Sequence, residues 1–465
     1  MFGLLRLAFR LTLFLVMRPM LLTVAAVLAW VAQAGFAQVL TADETRRAAL
    51  DALRAQMPAD ALLLSSALVD RDPQDFTALL IKARAARDLG RYHLANDAAQ
   101  TAWATADTDA ERHASALIRA QALASDGRRT AAQLWLRRAV EYAPDDQARA
   151  LAIRDFRYVR ARNPLAVDLR FGITPKSNIN NGSARSTARL FGLPFDLQLR
   201  GAARALSGIE TAAGAGLRYR VSESRQHATD LQFNLDSRHY RLTDDARAIA
   251  PTAKGSDFAQ TVIATGVLHR WTPEGARAER QVGLEAGRLW YGGDPYADFL
   301  RGSVGLTVAL PKGARLTPAI GLEMNRGPAA PWSDVARVSL GWTAAATKAG
   351  QLSLSMAVTD SRSDVASAEY ADVTLGMDYA LARPLLGAQA LVSFDLRDRA
   401  YPRSAVAPGP RDDRSAAAAV SLTFDRAQYM GFAPVVTLSA RQNASTVDLY
   451  DTRDIGISVG FRSAF

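Results

Sequence analysis

In the second half of the chain, apolar and polar residues alternate one by one. Leu352, Leu354, Met356 and Val358 are separated by Ser353, Ser355 and Ala357, and Val373, Leu375, Met377 and Tyr379 by Thr374, Gly376 and Asp378. The same rhythm runs through Leu231–Leu235, Val304–Leu310, Val392–Leu396 and Ala418–Phe424. A period of two puts successive side chains on opposite faces of a β-strand. One face here is apolar. The other carries Asp236, Glu285, Arg337, Asp395, Arg397 and Arg441 among glycines and serines. The packed core of a soluble sandwich cannot take that many charges. The pattern makes sense turned inside out, with the apolar face against lipid and the polar face lining a wet lumen. Such a sheet has to close, because a membrane leaves no unpaired edge.

Segments of this kind fall near 166–174, 208–220, 228–241, 258–271, 279–291, 298–310 and 314–325. They continue near 334–347, 350–361, 369–381, 387–399, 414–426, 432–443 and 453–465. They predict an antiparallel outer-membrane β-barrel of about 14 strands over 165–465. Trp271, Trp290, Tyr291, Trp332, Trp342 and Tyr429 stand at or near strand ends, where interfacial girdles form. The longer polar connections, 241–257 and 400–413, are expected outside the cell. The chain closes on "DIGISVGFRSAF", with Ile455, Ile457, Val459, Phe461 and Phe465 on the lipid-facing parity.

Residues 38–164 have a different rhythm. They are rich in Ala, Leu, Arg and Asp and read as α-helices. Ala83, Gly90, Ala95 and Ala102 are spaced 7, 5 and 7 apart, and Ala120, Gly127, Ala132 and Ala139 repeat those spacings before Pro144. This is the small-residue signature of tetratricopeptide repeats, in which small side chains let paired helices approach and a glycine ends the first of them. About three repeats are expected, the first imperfect. A helical solenoid of this kind presents a concave surface to a protein segment.

The first residues predict an export signal, 1–37. Arg6, Arg10 and Arg18 precede "MLLTVAAVLAW", and small residues offer cleavage after Ala34 or Ala37. Translation from Met17 in place of Met1 gives a more compact signal. Arg18 and Pro19 split the apolar stretch, which argues against a membrane anchor of about 20 residues. Export places the helical domain in the periplasm and the barrel in the outer membrane of a Gram-negative cell.

Composition removes several function classes. The chain has no cysteine, so disulfides, thiol nucleophiles, thiolate metal sites and an acylated cysteine are excluded. The net charge of +10 is spread as single arginines and not gathered into a patch, which argues against nucleic acid as a partner. The five histidines, His93, His113, His227, His239 and His269, have no metal-site spacing. No catalytic constellation or phosphate loop stands out, and neither an enzyme nor a cofactor is expected.

One stretch is not explained by barrel physics. "RFGITPKSNINNGS", 170–183, starts as a strand and breaks at Pro175 into an Asn-rich turn, where Asn and Ser bond to local backbone. Pro175, Ser177, Asn178, Ile179 and Asn180 form a P-x-S-N-I-N motif that resembles the signature of the surface lipoprotein assembly modulator (Slam) family. "GLPFDLQLRGAARALSGIETAAGAGLRYR" is similar to that family's next segment. The ending, with Pro434, Asn443, Ser445, Tyr450, Arg453 and Phe465, is similar to its ending. The resemblance implies a signal peptide, a tetratricopeptide-like domain and a fourteen-strand barrel. It implies partners too: outer-membrane lipid and a client surface lipoprotein or related secreted protein. The terminal strand, with Val459, Phe461 and Phe465, also resembles the signal read by the barrel-assembly machinery. Pro175–Asn181, within an insert over 175–207, reads as a plug or gate at the barrel mouth. A passive porin with a periplasmic docking domain is the alternative reading.

Overall fold

The computed structural model describes residues 40–463; the expected signal segment, 1–37, and Phe465 lie outside them. The described chain forms two compact units, one ending at Asp126 and one starting at Gly127.

The first unit contains α1 (Ala42–Arg54), α2 (Pro58–Arg71), α3 (Phe76–Asp88), α4 (Tyr92–Ala104) and α5 (Asp109–Ser125). Their starts are written in the sequence. Thr41 and Glu44 form a capping box at α1, Thr108 and Glu111 form another at α5, and Asp75 caps α3. These side chains bond to helical N–H groups that have no partner within the helix. Gly90 links α3 to α4 at φ +73°, a backbone state that suits a residue without a Cβ. Ala83, Ala95, Ala102 and Ala120 are all fully buried between helices.

The second unit opens with α6 (Arg129–Glu141) and α7 (Asp146–Arg162). Gly127 precedes α6 at φ +79°. Ala132 and Ala139 are fully buried, and Pro144 stands in the turn ahead of the Asp145 cap of α7.

Fourteen strands follow. They begin with β1 (Leu165–Lys176), β2 (Gly208–Glu223), β3 (His227–Leu242), β4 (Gln260–Trp271) and β5 (Ala278–Tyr291). Next come β6 (Asp294–Ala309), β7 (Arg315–Arg326), β8 (Ser333–Thr343), β9 (Gly350–Arg362) and β10 (Tyr370–Leu381). The last four are β11 (Gln389–Tyr401), β12 (Arg411–Thr423), β13 (Phe432–Ser445) and β14 (Thr452–Ser463). Each pairs antiparallel with its sequence neighbours, and β1 pairs with β14 to close the barrel. The architecture is the one expected from the alternation, helices followed by a closed 14-strand barrel.

Strand ends differ from the expectation by a few residues, for local reasons. β6 starts at Asp294 and not 298, because Gly292 and Gly293 (φ +63° and +97°) make a tight hairpin from β5. β8 stops at Thr343, because the Thr347 hydroxyl bonds to Gly350 and folds 344–349 into a turn. β12 is Arg411–Thr423 and not 414–426: Arg411 and Asp413 pair inside the barrel, which lets charged residues extend the strand. β1 runs through Pro175 to Lys176, where the sequence suggested a break.

Connections at one end of the barrel are short: 224–226, 272–277 and 310–314 among them. The opposite end carries the long ones, 177–207 and 243–259. Outer-membrane barrels have short periplasmic turns and long extracellular loops, which fixes the orientation. The barrel is therefore set in the outer membrane, with the helical region on the periplasmic side.

Candidate functional site

The register assigns every strand residue to a face. Ile173 lies opposite Val459, Val459 opposite Val436, and Leu438 opposite Ile457. All of these belong to the apolar outer wall, where Ile455, Ile457, Val459 and Phe461 are exposed. The alternate residues line the lumen. At mid-strand they are small, as at Gly214, Gly266, Gly283, Gly321, Gly341 and Gly376. The missing Cβ atoms make room for side chains of neighbouring strands: Asp236 and Arg170 beside Gly214, Thr317 beside Gly341 and Ser355 beside Gly376.

Charges line the remainder of the lumen, mostly in pairs. Arg301 bonds to Glu285 at 3.0 Å and to Glu323 at 2.7 Å, and Arg399 bonds to Asp372 at 2.7 Å. Arg301, Glu323, Asp372 and Arg399, with Arg337, Arg397 and Tyr370, border a lumen cavity of about 730 Å³. Toward the periplasmic end, Asp230 is completely buried among Arg220 (2.6 Å), Arg270 (2.9 Å) and Arg218 (3.3 Å). This cluster ties β2, β3 and β4 together on the lumen side.

The Asn-rich motif stands at the extracellular end, where β1 leaves the wall. Ser177 N–H donates to the Ile455 carbonyl at 3.2 Å, and Ile455 N–H donates to Ser177 Oγ at 2.8 Å. The Asp454 carboxylate accepts from Ser177 Oγ at 3.2 Å and from the Asn178 N–H at 3.1 Å. Asn178 is buried and forms two bonds with the Gly182 backbone. Asn180 donates to the carbonyls of Ala202 and Arg204 and accepts from Leu206 N–H, fastening the start of the 177–207 segment to its end. Asn181 adopts φ +53°, a conformation that Asn tolerates better than most residues. A Cβ on Gly182 would meet the Arg204 carbonyl oxygen at 2.2 Å, so only glycine fits there.

The 177–207 segment also reaches three neighbouring loops. Ile179 and Leu206 are buried against Leu242, Phe258 and the short helix α8 (Asp244–Ile249) with Ala250, in the β3–β4 loop. Ala188, Leu190 and Leu199 pack on Val447 of the β13–β14 loop, with Val406 of the β11–β12 loop beside them. Arg185 Nε donates to Asp451 at 2.5 Å, and that hydrogen bond, then the carboxylate's charge, raises the guanidinium pKa. Asn443 and Ser445 shape the same β13–β14 corner by bonding to Tyr450 O and Asp413. Ser177–Asn181 thus belong to a segment tied to neighbouring loops at the extracellular end, whereas Pro175, also expected in the plug, stays in β1 opposite Ile209.

At the periplasmic end, α6 is fastened to the barrel. Arg137 donates to the carbonyls of Met430 (3.1 Å) and Gly431 (2.8 Å) and to Ser463 Oγ (2.9 Å). Its guanidinium lies between the rings of Phe156 and Phe432, 4.9 and 4.8 Å from their centroids. Glu141 accepts from Met430 N–H at 2.9 Å. Burial and the neighbouring Arg160 pull the Arg137 pKa down to about 10, which leaves it protonated at neutral pH.

Residues 166–465 match the model of a protein family described as surface lipoprotein assembly modifier. The chain belongs to that family. The matched region is the barrel, and the helices before it lie outside the match. No curated protein matches the chain. Among solved structures, the chain is similar to the β domain of the Bordetella autotransporter BrkA, with 11% identity over 65% of this chain and 100% of that one, at a TM-score of 0.28. It is also similar to OprB of Pseudomonas putida, with 9% identity over 66% of this chain and 96% of that one, at a TM-score of 0.37. Neither likeness carries an argument about function. Among the described residues, no group of three or more His, Cys, Asp or Glu is placed to hold a metal ion.

Three residues central to this geometry were not singled out by the sequence: Asp454, Asp230 and Arg137. Asp454 and Asp230 follow the lumen parity, so alternation marks their face. Their partners become visible only when the barrel register is known. Arg137 looks like any arginine on an amphipathic helix, and no local signal distinguishes it.

Proposed function

We propose that this protein carries surface lipoproteins, or related secreted clients, across the outer membrane, with the periplasmic helices receiving the client and the barrel bore forming its path. The observation that carries this reading is the family match across the entire barrel. A polar lumen supports it physically, since the backbone groups of a passing chain find hydrogen-bonding partners there that lipid does not offer. The helical repeats supply a surface on which a client could be held. On the same reading, 1–37 is a cleaved export signal, the 177–207 segment regulates the extracellular mouth, and Val459, Phe461 and Phe465 present the last strand to the barrel-assembly machinery. No bond is made or broken, and no cofactor is needed.

Co-expression with a candidate lipoprotein, in a bacterium lacking both, tests the proposal. Protease treatment of intact cells should remove the client only where this protein is present. Clients that stay protected while small solutes leak in would favour a passive channel instead.

A further inference from the structure

The barrel wall is not uniform. Among the described residues, every pair of neighbouring strands shares ten or more register positions except β1 and β14, which share four of the eight their register allows, the positions opposite 165–168 falling beyond Ser463. Those four are Phe171–Phe461, Gly172–Gly460, Ile173–Val459 and Lys176–Gly456. Pro175 explains part of the deficit. Ser177 directs its N–H to β14, and a residue two positions earlier faces the same way. Pro175 therefore removes a donor from this seam and leaves the β1–β2 ladder intact.

Both ends of the weak seam are held by other groups. At the extracellular end, Ser177 and Asn178 grip Asp454 and Ile455 across it. At the periplasmic end, the α6–α7 hairpin bridges it. Arg137 and Glu141 fix α6 to the β12–β13 turn and to the end of β14, while α7 runs through Asn163 and Pro164 directly into β1. Asn163 also bonds to Thr130 Oγ1 at 3.0 Å, tying the two helices of the hairpin together. An interrupted ladder therefore lies between two points of attachment.

We infer that the β1–β14 seam opens sideways to pass the acyl chains of a lipoprotein from the lumen into the outer membrane, with Ser177, Asn178 and Asp454 as the outer latch and the α6–α7 hairpin as the inner strap. The inference rests on the function proposed above. Its chemical reason is that acyl chains gain nothing from the polar, ion-paired lumen. Their favourable environment is the hydrocarbon beyond the wall. The outer surface of the seam is already apolar, with Phe171, Ile173, Val459 and Phe461 facing lipid. Movement of the hairpin by a client on the helices would pull directly on β1.

A reversible lock tests this. The chain has no cysteine, so Ile173→Cys with Val459→Cys places a single disulfide across the seam. Leu340→Cys with Met356→Cys, an opposed pair on the same outer face between β8 and β9, is the control. Oxidation of the seam pair should lower surface display of a lipidated client at least tenfold, and reductant should restore it. The same client with its acylated cysteine replaced should still leave the cell, and the control pair should have no effect. Normal display of the lipidated client through the oxidised seam would overturn the inference. If neither client form leaves cells carrying the unlocked protein, the transport reading itself fails. Spin labels at 173 and 459 in lipid vesicles then judge the seam alone. A distance distribution at least twice as broad as that at 340 and 356 supports a gate, and equal widths overturn it.

Discussion

Replacing Asp230 by alanine is expected to cost the barrel about 3–5 kcal/mol, the range for breaking a buried ion pair from one side. The carboxylate is fully buried and accepts from Arg220, Arg270 and Arg218, each on the lumen face of β2 or β4. Without it, the three guanidinium groups repel one another in a confined wall, and each loses a partner that water replaces only in part. Asp230→Asn should behave similarly, since the amide keeps the shape but not the charge. A double variant, Asp230→Ala with Arg220→Met, should recover part of the loss, because it removes a stranded cation together with its counter-ion. The measurement is the temperature at which the folded barrel converts to its slower-migrating unfolded form in a detergent gel. An unchanged midpoint in Asp230→Ala would mean that the arginines are solvated independently of the carboxylate.

Removing Arg137 is expected to release the α6–α7 hairpin while leaving the barrel folded. A hydrogen bond to a charged group contributes about 1.5–3 kcal/mol. Arg137 makes bonds to Met430, Gly431 and Ser463 and is held between two rings. Arg137→Ala should therefore open 127–163 to limited proteolysis, while the strands stay resistant and the heat-modified gel shift is kept. Arg137→Lys should rescue poorly, because a single ammonium cannot serve the Met430 and Gly431 carbonyls and also reach Ser463 Oγ as the two guanidinium nitrogens do, nor stack as a flat group on Phe156 and Phe432. If the lysine variant resists protease as well as the parent protein, charge alone holds the hairpin.

These two sites mark the limit of what alternation can reveal. Period two assigned Asp236, Glu285, Arg337, Asp395, Arg397 and Arg441 to the lumen, because a strand has only two faces and a membrane allows charge on one of them. All six are on the lumen face in the fold. Strand ends were less legible at β6 and β12, where a tight glycine hairpin and an inward ion pair carry the ladder past the apolar segment. Which strands close the barrel, and in what register, depends on residues far apart in the chain: Ser177 meets Asp454, and Arg137 meets Met430. No local pattern encodes those meetings. The P-x-S-N-I-N motif was conspicuous because barrel physics did not require it. The bonds from Ser177 to Ile455 and Asp454 join β1 to β14 across the closure, a meeting that the motif itself does not encode.

Transport itself is tested most directly with purified protein in lipid vesicles, sorted so that the helical region faces outward. A lipoprotein client is offered from outside, and external protease is added after incubation. The account predicts that a fraction of the client becomes protected and membrane-bound only in vesicles that contain this protein. Complete digestion of the client, equal to that in empty vesicles, would contradict it.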